Sequence, residues 1–298
     1  LRAQAAVVVA ATVVIVIALV ATRSHLVDVY GPSGDGELTG LYVWLRLLGT
    51  VLIGLPAAIG AFWGAPLIAG ELEARTHRLV WTQSITRDRW LAVKLAVVAS
   101  VSAAVVGIFA AVFTWWCAPI DATAASRISP ANFAQRGFIS IGYTLFALAL
   151  GVLIGALTRR TLPAMAATLV AFFVIRLAIQ KLVRPHLVAL STVRTDPFGP
   201  GPRGGWIIST RTFDAAGHPT SGRDLENSLA ATCHITRATP DVDRALATCA
   251  HEVGIHNLTR VVPSSSFWQL QASELAVFVV LAAALVGATF WWVRNRTS

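Results

Sequence analysis

Two cysteines and three histidines in the last third of the chain could form either a disulfide or a metal site. Cys233 adjoins His234, and Cys249 lies two residues before His251, with His256 a little further on. Thiolates and imidazoles are the ligands that zinc prefers in proteins. Adjacent Cys and His side chains point in different directions on regular structure, however, and an oxidising compartment favours a bridge. We therefore predict a Cys233–Cys249 disulfide, with zinc as the alternative.

The string HEVGIH, from His251 to His256, resembles a metalloprotease motif but has the wrong spacing. In that motif the second histidine comes four residues after the first, so that both lie on one helical face. Here that position is Ile255. The sequence also has no G-x-x-x-x-G-K-[ST] phosphate loop, so it does not bind ATP in that way. We expect no catalytic site, no metal and no cofactor in this chain.

A polar stripe occupies the C-terminal part of one apolar segment. Arg176, Gln180 and Arg184 are spaced at i, i+4 and i+8, so they share a helical face. Ionisable groups in membrane helices reach the headgroups, line a cavity or pair with one another. Two interpretations stay open: the arginines snorkel to the outer headgroups, or the stripe lines an outward vestibule or pairs with Glu274. Arg46, in another apolar segment, is a further candidate for the vestibule.

The composition identifies an integral membrane protein. Of the 298 residues, 55% are hydrophobic and only 13% are charged, whereas about 25% are charged in an ordinary soluble domain. The formal charge is +9, but the basic residues border apolar runs, where they set orientation, so we do not expect nucleic acid as a partner. The apolar runs contain no Asp and no His, and Glu274 is their only Glu. This argues against an intramembrane enzyme.

Six apolar segments reach the length of about 20 residues that a helix needs to cross a bilayer. They are Ala3–Ala21, Leu41–Gly64, Trp90–Ala118, Phe138–Leu157, Thr161–Val183 and Ala272–Val293. We therefore predict an all-α polytopic membrane protein with six transmembrane helices. Residues 1–184 would hold the first five spans, and residues 268–298 the sixth span with a cytoplasmic tail.

Residues 185–267, between the fifth and sixth spans, have the composition of a soluble domain. We predict a mixed insertion there, with short helices at Asp224–Thr232 and Pro240–His251. Asp241 and Asp243 would favour the N-terminus of the second of these helices.

Basic residues in the short connections predict the orientation of the chain. Loops rich in Lys and Arg stay in the cytoplasm, and one side of the spans is clearly richer in them. That side carries Arg2, Arg75, Arg78, Arg87, Arg89, Lys94, Arg159, Arg160, Arg294 and Arg296. We therefore predict a plasma-membrane protein with both termini in the cytoplasm and residues 185–267 outside the cell.

The stretch Gly70–Lys94, between the second and third spans, is charged and amphipathic. Leu72, Thr76 and Leu79 share one helical face. Such a helix lies along the membrane surface or docks into a groove of a partner. Thr86 is the expected N-cap of the third span. The alternative is an ordinary cytoplasmic loop of basic anchors.

Three passages of the chain resemble the permease subunit of ABC-2 type transporters, particularly the actinobacterial branch. They are GELEARTHRLVWTQSITRDRWLAVKL after the second span, RLAIQKLVRPH at the end of the fifth, and PSSSFWQLQASELAVFVVLAAALVGATFWWVRNR near the end of the chain. The first is the most specific, because the family carries a similar E-x-E-x-x-T-x-x-L-x-W-T-x-S-x-x-R-x-R-W string there. The chain departs from the commoner closing pattern Y-Q-P-A-S-R, where it has VPSSS.

The resemblance implies a coupling helix at about residues 66–89 that seats in a cleft of a separate nucleotide-binding subunit. The residues implied at or near that contact are Glu71, Glu73, Arg75, Thr76, Arg78, Arg87 and Arg89. The resemblance further implies a second permease chain, identical or a sister, and two P-loop ATPase subunits that carry ATP and Mg²⁺. The expected function is export of a hydrophobic or amphipathic substrate such as a drug, peptide or lipid. A polytopic sensor with an extracellular ligand domain and a partner that is not an ATPase is the alternative.

Overall fold

The computed structural model describes residues 10, 13–24, 49–51, 53–74, 86–123, 127–197, 202, 205–220, 225, 229, 231–235 and 241–296. The chain divides into two compact units. One, hereafter the helical unit, consists of Leu1–Thr123, Ala131–Leu187 and Trp268–Ser298. The other, hereafter the sheet unit, consists of Ala124–Pro130 and Val188–Phe267.

Long apolar helices dominate the chain. In chain order, the helices whose bounds the structure describes are α1 (Val13–Ser24), α2 (Gly49–Glu73), α3 (Arg87–Thr123), α4 (Pro130–Phe133), α5 (Ile139–Thr158), α6 (Thr161–Ala178), α7 (Val242–Glu252) and α8 (Phe267–Arg296). Helix α2 includes a π-helical segment at Gly60–Gly64. Helix α6 continues through a second π-helical segment, Ile179–Val183, into a 3-10 turn at Arg184–His186.

Five stretches of the described residues are long and apolar enough to cross a membrane. They are Gly49–Glu73, Asp88–Pro119, Ile139–Thr158, Thr161–His186 and Ser264–Asn295, and they correspond to the predicted spans two to six. The predicted first span, Ala3–Ala21, overlaps the shorter α1, and its residues 3–9 and 11–12 lie outside the described residues. A multi-pass helical membrane protein is therefore confirmed, whereas the count of six spans stays a prediction.

The second span ends later than the hydropathy pattern predicts. The apolar run ends at Gly64 and the coupling helix is expected from about residue 66, but α2 runs on to Glu73. The physical reason is burial: Leu67, Ile68 and Ala69 are all covered in this part of the helix, and they pack in clusters with residues of α3, α5 and α6. Residues 75–85, the middle of the predicted coupling helix, lie outside the described residues.

Helices α2 and α5 approach each other through glycines. A Cβ on Gly60 would lie 2.5 Å from the carbonyl oxygen of Ala147, and one on Gly64 would lie 2.8 Å from that of Leu148. A Cβ on Gly151 would overlap the carbonyl oxygen of Gly60. Small residues let membrane helices pack at such short backbone distances. This contact, hereafter the glycine seam (Gly60, Gly64 and Gly151), coincides with the π-helical segment of α2.

The sheet unit is built on a four-stranded antiparallel sheet. Its strands are β1 (Ser191–Thr195), β2 (Trp206–Phe213), β3 (Pro219–Thr220) and β4 (His256–Val262), in the order β1-β4-β2-β3. The segments are rich in Val, Ile and Thr, which suit a pleated, half-buried surface. The sequence pattern predicts a mixed insertion here but not this sheet. The predicted helix at Pro240–His251 is α7, and the described residues of Asp224–Thr232 are helical.

Local sequence signals set both ends of α7. The Asp241 carboxylate accepts a hydrogen bond from the backbone N–H of Arg244 at 3.4 Å, as an N-cap does. After the last turn Gly254 adopts a φ of 81°. The N–H of Ile255 then donates to the carbonyl of Ala250 at 2.8 Å, which completes a Schellman motif.

Candidate functional site

Polar side chains of the helical unit gather in two groups. One group lies where α2 and α5 end and α3 and α6 begin, hereafter the Thr158 end. The other lies where α5 begins and the α6 segment ends, hereafter the Arg184 end. Polar side chains between apolar helices are costly unless they are paired, so each of them is expected to have a partner.

At the Thr158 end, an ion pair joins the helices that flank residues 74–86. The Nζ of Lys94 on α3 binds the carboxylate of Glu71 on α2, and both side chains are 27% exposed. The same Nζ lies 4.3 Å from the ring centroid of Trp90, within the range of a cation–π contact. The pair therefore holds the end of α2 against the first turns of α3.

Two further contacts extend this link to α6 and α8. Oε2 of Glu73 accepts hydrogen bonds from the backbone N–H of Thr161 at 2.9 Å and from its hydroxyl at 2.7 Å, which caps the free N–H groups at the start of α6. Asp88 accepts from Nε of Arg294 at 2.9 Å, and Nη2 of this arginine lies 2.6 Å from the same oxygen. Four helices are thus connected at one end of the unit.

The start of α3 follows the prediction. The hydroxyl of Thr86 accepts a hydrogen bond from the backbone N–H of Arg89 at 3.4 Å, so Thr86 is the N-cap. Asp88 lies in the first turn, where a negative charge is favoured by the helix dipole.

A cleft of about 390 Å³ opens beside the Glu71–Lys94 pair. Its wall includes Phe62, Trp63 and Met165, so it is mostly apolar with one charged edge. A cleft of this kind can receive an apolar side chain or alkyl group next to the helix ends.

The structure describes four of the seven predicted coupling residues. Glu71 and Glu73 contact other helices of this chain, Arg89 is exposed, and Arg87 is the first residue of α3. The remaining three, Arg75, Thr76 and Arg78, lie outside the described residues. A contact of these seven residues with an ATPase stays a prediction.

At the Arg184 end, three side chains form a buried network. Arg184 donates from Nε to Oε2 of Glu274 at 2.7 Å and from Nη2 to Oε1 at 2.9 Å. The hydroxyl of Tyr143 donates to the same Oε1 at 2.7 Å and accepts from Nη2 of Arg184 at 3.1 Å. The arginine and glutamate side chains are 0% and 1% exposed. A bidentate, charge-assisted pair of this kind connects α8, α5 and the end of the α6 segment firmly.

Arg176 lies beside this network without an ion pair. Its guanidinium carbon is 4.7 Å from the ring centroid of Tyr143, and the residue is only 6% exposed. Among the described residues, no carboxylate pairs with it. Such burial does not fit the snorkelling interpretation, and the residue of the stripe that pairs with Glu274 is Arg184. Half-buried Gln180 lies between the two arginines in the π-helical segment.

Two of the residues singled out for a vestibule therefore lie in or beside the network, namely Glu274 and Arg176. Arg46 lies outside the described residues. Tyr143 was missed in the sequence, although a polar side chain in an apolar run is the signal that could have found it.

Gln271, one turn before Glu274 on α8, was also missed. Its Oε1 accepts from the backbone N–H of Ile139 at 2.9 Å, and its Nε2 donates to the carbonyl of Arg136 at 2.8 Å and of Phe133 at 3.2 Å. The side chain is fully buried. It satisfies backbone groups just before and at the start of α5, so it fixes the position of the helix that carries Tyr143.

In the sheet unit, Cys233 and Cys249 form the predicted disulfide, with their Cα atoms 6.2 Å apart. The bridge uses the two sulfurs on which the zinc alternative depends. It lies in an apolar cluster with Leu229 and Leu246. Cys117, on α3, is a free and buried cysteine.

Comparison with protein families matches residues 5–184, more than half of the chain, to a model described as ABC-2 membrane transporter related. The match covers the described helices α1 to α6 and ends at Arg184. No curated protein matches the chain, and no solved structure matches it.

Proposed function

The chain belongs to the ABC-2 membrane transporter related family, and on this premise we propose that it is the permease subunit of an ATP-driven exporter. Its substrate is a hydrophobic or amphipathic molecule such as a drug, peptide or lipid. ATP and Mg²⁺ bind a separate P-loop ATPase, because this chain has no phosphate loop of its own.

One observation carries the proposal, namely the set of contacts around residues 74–86. The helices on either side of this segment are joined by Glu71 and Lys94, and they contact α6 through Glu73 and α8 through Asp88. A partner that displaces the segment would therefore move four helices together. Packed helices that shift as rigid bodies are a known means of converting a small local displacement into a larger one.

In this mechanism two permease chains, identical or sisters, enclose a pathway across the membrane. From the cytoplasm, an ATPase subunit binds residues 74–86 of each permease chain. The two ATPase subunits then come together when they bind ATP. The coupling residues at this contact are Arg75, Thr76, Arg78, Arg87 and Arg89, with Glu71 and Glu73 acting through their contacts to the neighbouring helices. The pathway then changes from opening inward to opening outward. The Arg184 end forms the vestibule at its outer mouth. The excess of Lys and Arg at the Thr158 end supports this orientation.

Copurification tests the proposal. The tagged chain, purified in mild detergent from cells of its own source, should retain a P-loop ATPase subunit that hydrolyses ATP. The double variant Arg75→Glu/Arg78→Glu should lose this subunit, because it reverses two charges in the coupling segment. The matched control Arg194→Glu/Arg211→Glu reverses two charges at exposed positions of β1 and β2 and should retain it. An unmodified chain that purifies without any ATPase would contradict the proposal and favour the sensor alternative.

A further inference from the structure

We propose that Arg176, together with Arg184 and Tyr143, binds the anionic group of an amphipathic molecule, either a phosphate or a carboxylate. The site lies at the Arg184 end of the helical unit. The inference that this molecule is transported rests on the proposed function. The inference that it binds at this site does not.

The charges of the buried cluster do not balance. Arg184 and Glu274 neutralise each other in a bidentate pair. Arg176 adds a second positive charge beside this pair. A buried charge without a counterion is strongly unfavourable. Among the described residues this cluster lacks one negative charge, which a bound anion would supply.

The described residues offer no internal anion for this purpose. The other carboxylates with described contacts in the helical unit bind elsewhere: Glu71 to Lys94, Asp88 to Arg294 and Asp121 to Arg136. Glu73 binds Thr161 at the opposite end of α6. The counterion that Arg176 needs is thus not supplied by these groups.

Both arginines keep donors for such an anion. Nε of Arg176 and Nη1 of Arg184 are buried and have no hydrogen-bond partner among the described residues. Tyr143 brings the two side chains to one place, since its ring lies under the guanidinium of Arg176 and its hydroxyl accepts from Arg184. Guanidinium groups bind phosphate and carboxylate oxygens with good geometry.

The surroundings favour an amphipathic molecule over a free ion. The neighbours of Arg176 on α6 include Phe173 and Leu177, which are 39% and 51% exposed. An alkyl or aryl tail can cover these side chains while its charged group reaches Arg176, which is itself 6% exposed. A phospholipid of the bilayer and a transported amphipath share this chemistry.

Binding of dodecyl phosphate tests the proposal. The purified chain in phosphatidylcholine nanodiscs, without ATPase or ATP, should bind radiolabelled dodecyl phosphate saturably, and dodecyltrimethylammonium should not compete. Arg176→Gln should weaken the binding at least tenfold. The control Lys181→Gln removes one positive charge from an exposed position of the same segment and should change the affinity less than twofold. Equal binding by Arg176→Gln and the unmodified chain would overturn the proposal.

Thermal unfolding without dodecyl phosphate provides a second measurement. Arg176→Gln should unfold at the same or a higher temperature than the unmodified chain, because it removes an uncompensated charge. Arg184→Gln should unfold at a lower temperature, because it leaves Glu274 without its arginine. If Arg176→Gln is destabilised as much as Arg184→Gln, Arg176 has a structural role and the proposal is wrong.

Nanodiscs that contain phosphatidylglycerol show whether the bound molecule is a phospholipid of the bilayer or a separate amphipath. One outcome is that this lipid displaces dodecyl phosphate from the unmodified chain and leaves the weaker binding to Arg176→Gln unchanged. In that case the site binds lipid headgroups. If dodecyl phosphate binding persists in its presence, the site takes a separate amphipath. Either result supports the anion site, and failure of the copurification experiment would leave it standing.

Discussion

Charged side chains of the helical unit fall into two kinds. Some of those that the structure describes join one helix to another, as Glu71, Asp88 and Glu274 do through their basic partners. Arg176 forms no such pair within the described part of the chain. Sequence spacing could predict that Arg176 and Arg184 share a face, but it could not predict which arginine pairs with Glu274. That choice depends on the packing of α8 against α5, which is not a local property of the sequence.

Removal of one partner from the Arg184–Glu274 pair should be more damaging than removal of both. Arg184→Leu leaves a buried carboxylate without its arginine, and such a loss costs about 3–5 kcal/mol. Arg184→Leu/Glu274→Leu should recover a large part of the stability, because no unpaired charge of the pair is left. Thermal unfolding in detergent measures both variants. A double variant no more stable than Arg184→Leu would show that the unpaired carboxylate is not the cause of the loss.

Exchange of the charges of Glu71 and Lys94 tests the link at the Thr158 end. Lys94→Glu brings two carboxylates together and should lower the unfolding temperature, whereas Glu71→Lys/Lys94→Glu should restore it. The expected gain of the double variant is small, about 0.5–1 kcal/mol, because the pair is partly exposed to solvent. Arg89→Glu, at an exposed position of the same helix, is the control and should change the temperature little. Failure of the double variant to recover would mean that the pair does not stabilise this end.

At the scale of secondary structure, the apolar runs predicted the existence of the helices far better than their ends. Helix α2 continues past Gly64 because Leu67 and Ile68 are buried by neighbouring helices, and hydropathy does not register that burial. The sheet was missed for a related reason. Its strands β2 and β4 are distant in sequence and pair only in the folded chain, so their pattern gave a weak local signal.

The glycine seam gives a prediction for the contact between α2 and α5. Gly151→Val introduces a Cβ that overlaps the carbonyl oxygen of Gly60, so the backbones must separate. We expect a loss of about 3 kcal/mol or more, as for a severe overpacking change. Gly287→Val on α8 is the matched control, since a Cβ there meets no atom within 4 Å. Equal unfolding temperatures of the two variants would contradict the close contact.

At the scale of the whole molecule, the two units differ in how they are stabilised. The helical unit depends on apolar helices joined by a few polar contacts, whereas the sheet unit has a disulfide between Cys233 and Cys249. The disulfide was predictable because the two cysteines lie in a segment of soluble composition. A bridge that closes a loop of this length contributes about 3 kcal/mol in the chain-entropy model.

Counting reactive thiols checks the disulfide. The chain has three cysteines, of which Cys117 is free. Denatured protein should therefore take up a single iodoacetamide without reduction and one on every cysteine after reduction, as measured by mass spectrometry of the intact chain. Labelling of all cysteines without a reductant would show that the bridge is absent.

Accessibility to a membrane-impermeant maleimide checks the predicted orientation. Cys117 is buried and the other cysteines are bonded, so the native chain gives a low background. His218→Cys, whose native side chain is 78% exposed, should be labelled from outside intact cells. Arg160→Cys, at an exposed position between α5 and α6, should be labelled only after the membrane is opened. The reverse pattern would invert the orientation.

The glycine seam also has a mechanical consequence. Where two backbones touch directly, no side chains lie between them that could change rotamer and let the helices slide. Helices α2 and α5 should therefore move as one rigid body. A shift of α2 would then carry α5 with it, so α5 would move with the helices that Glu71, Glu73 and Asp88 connect.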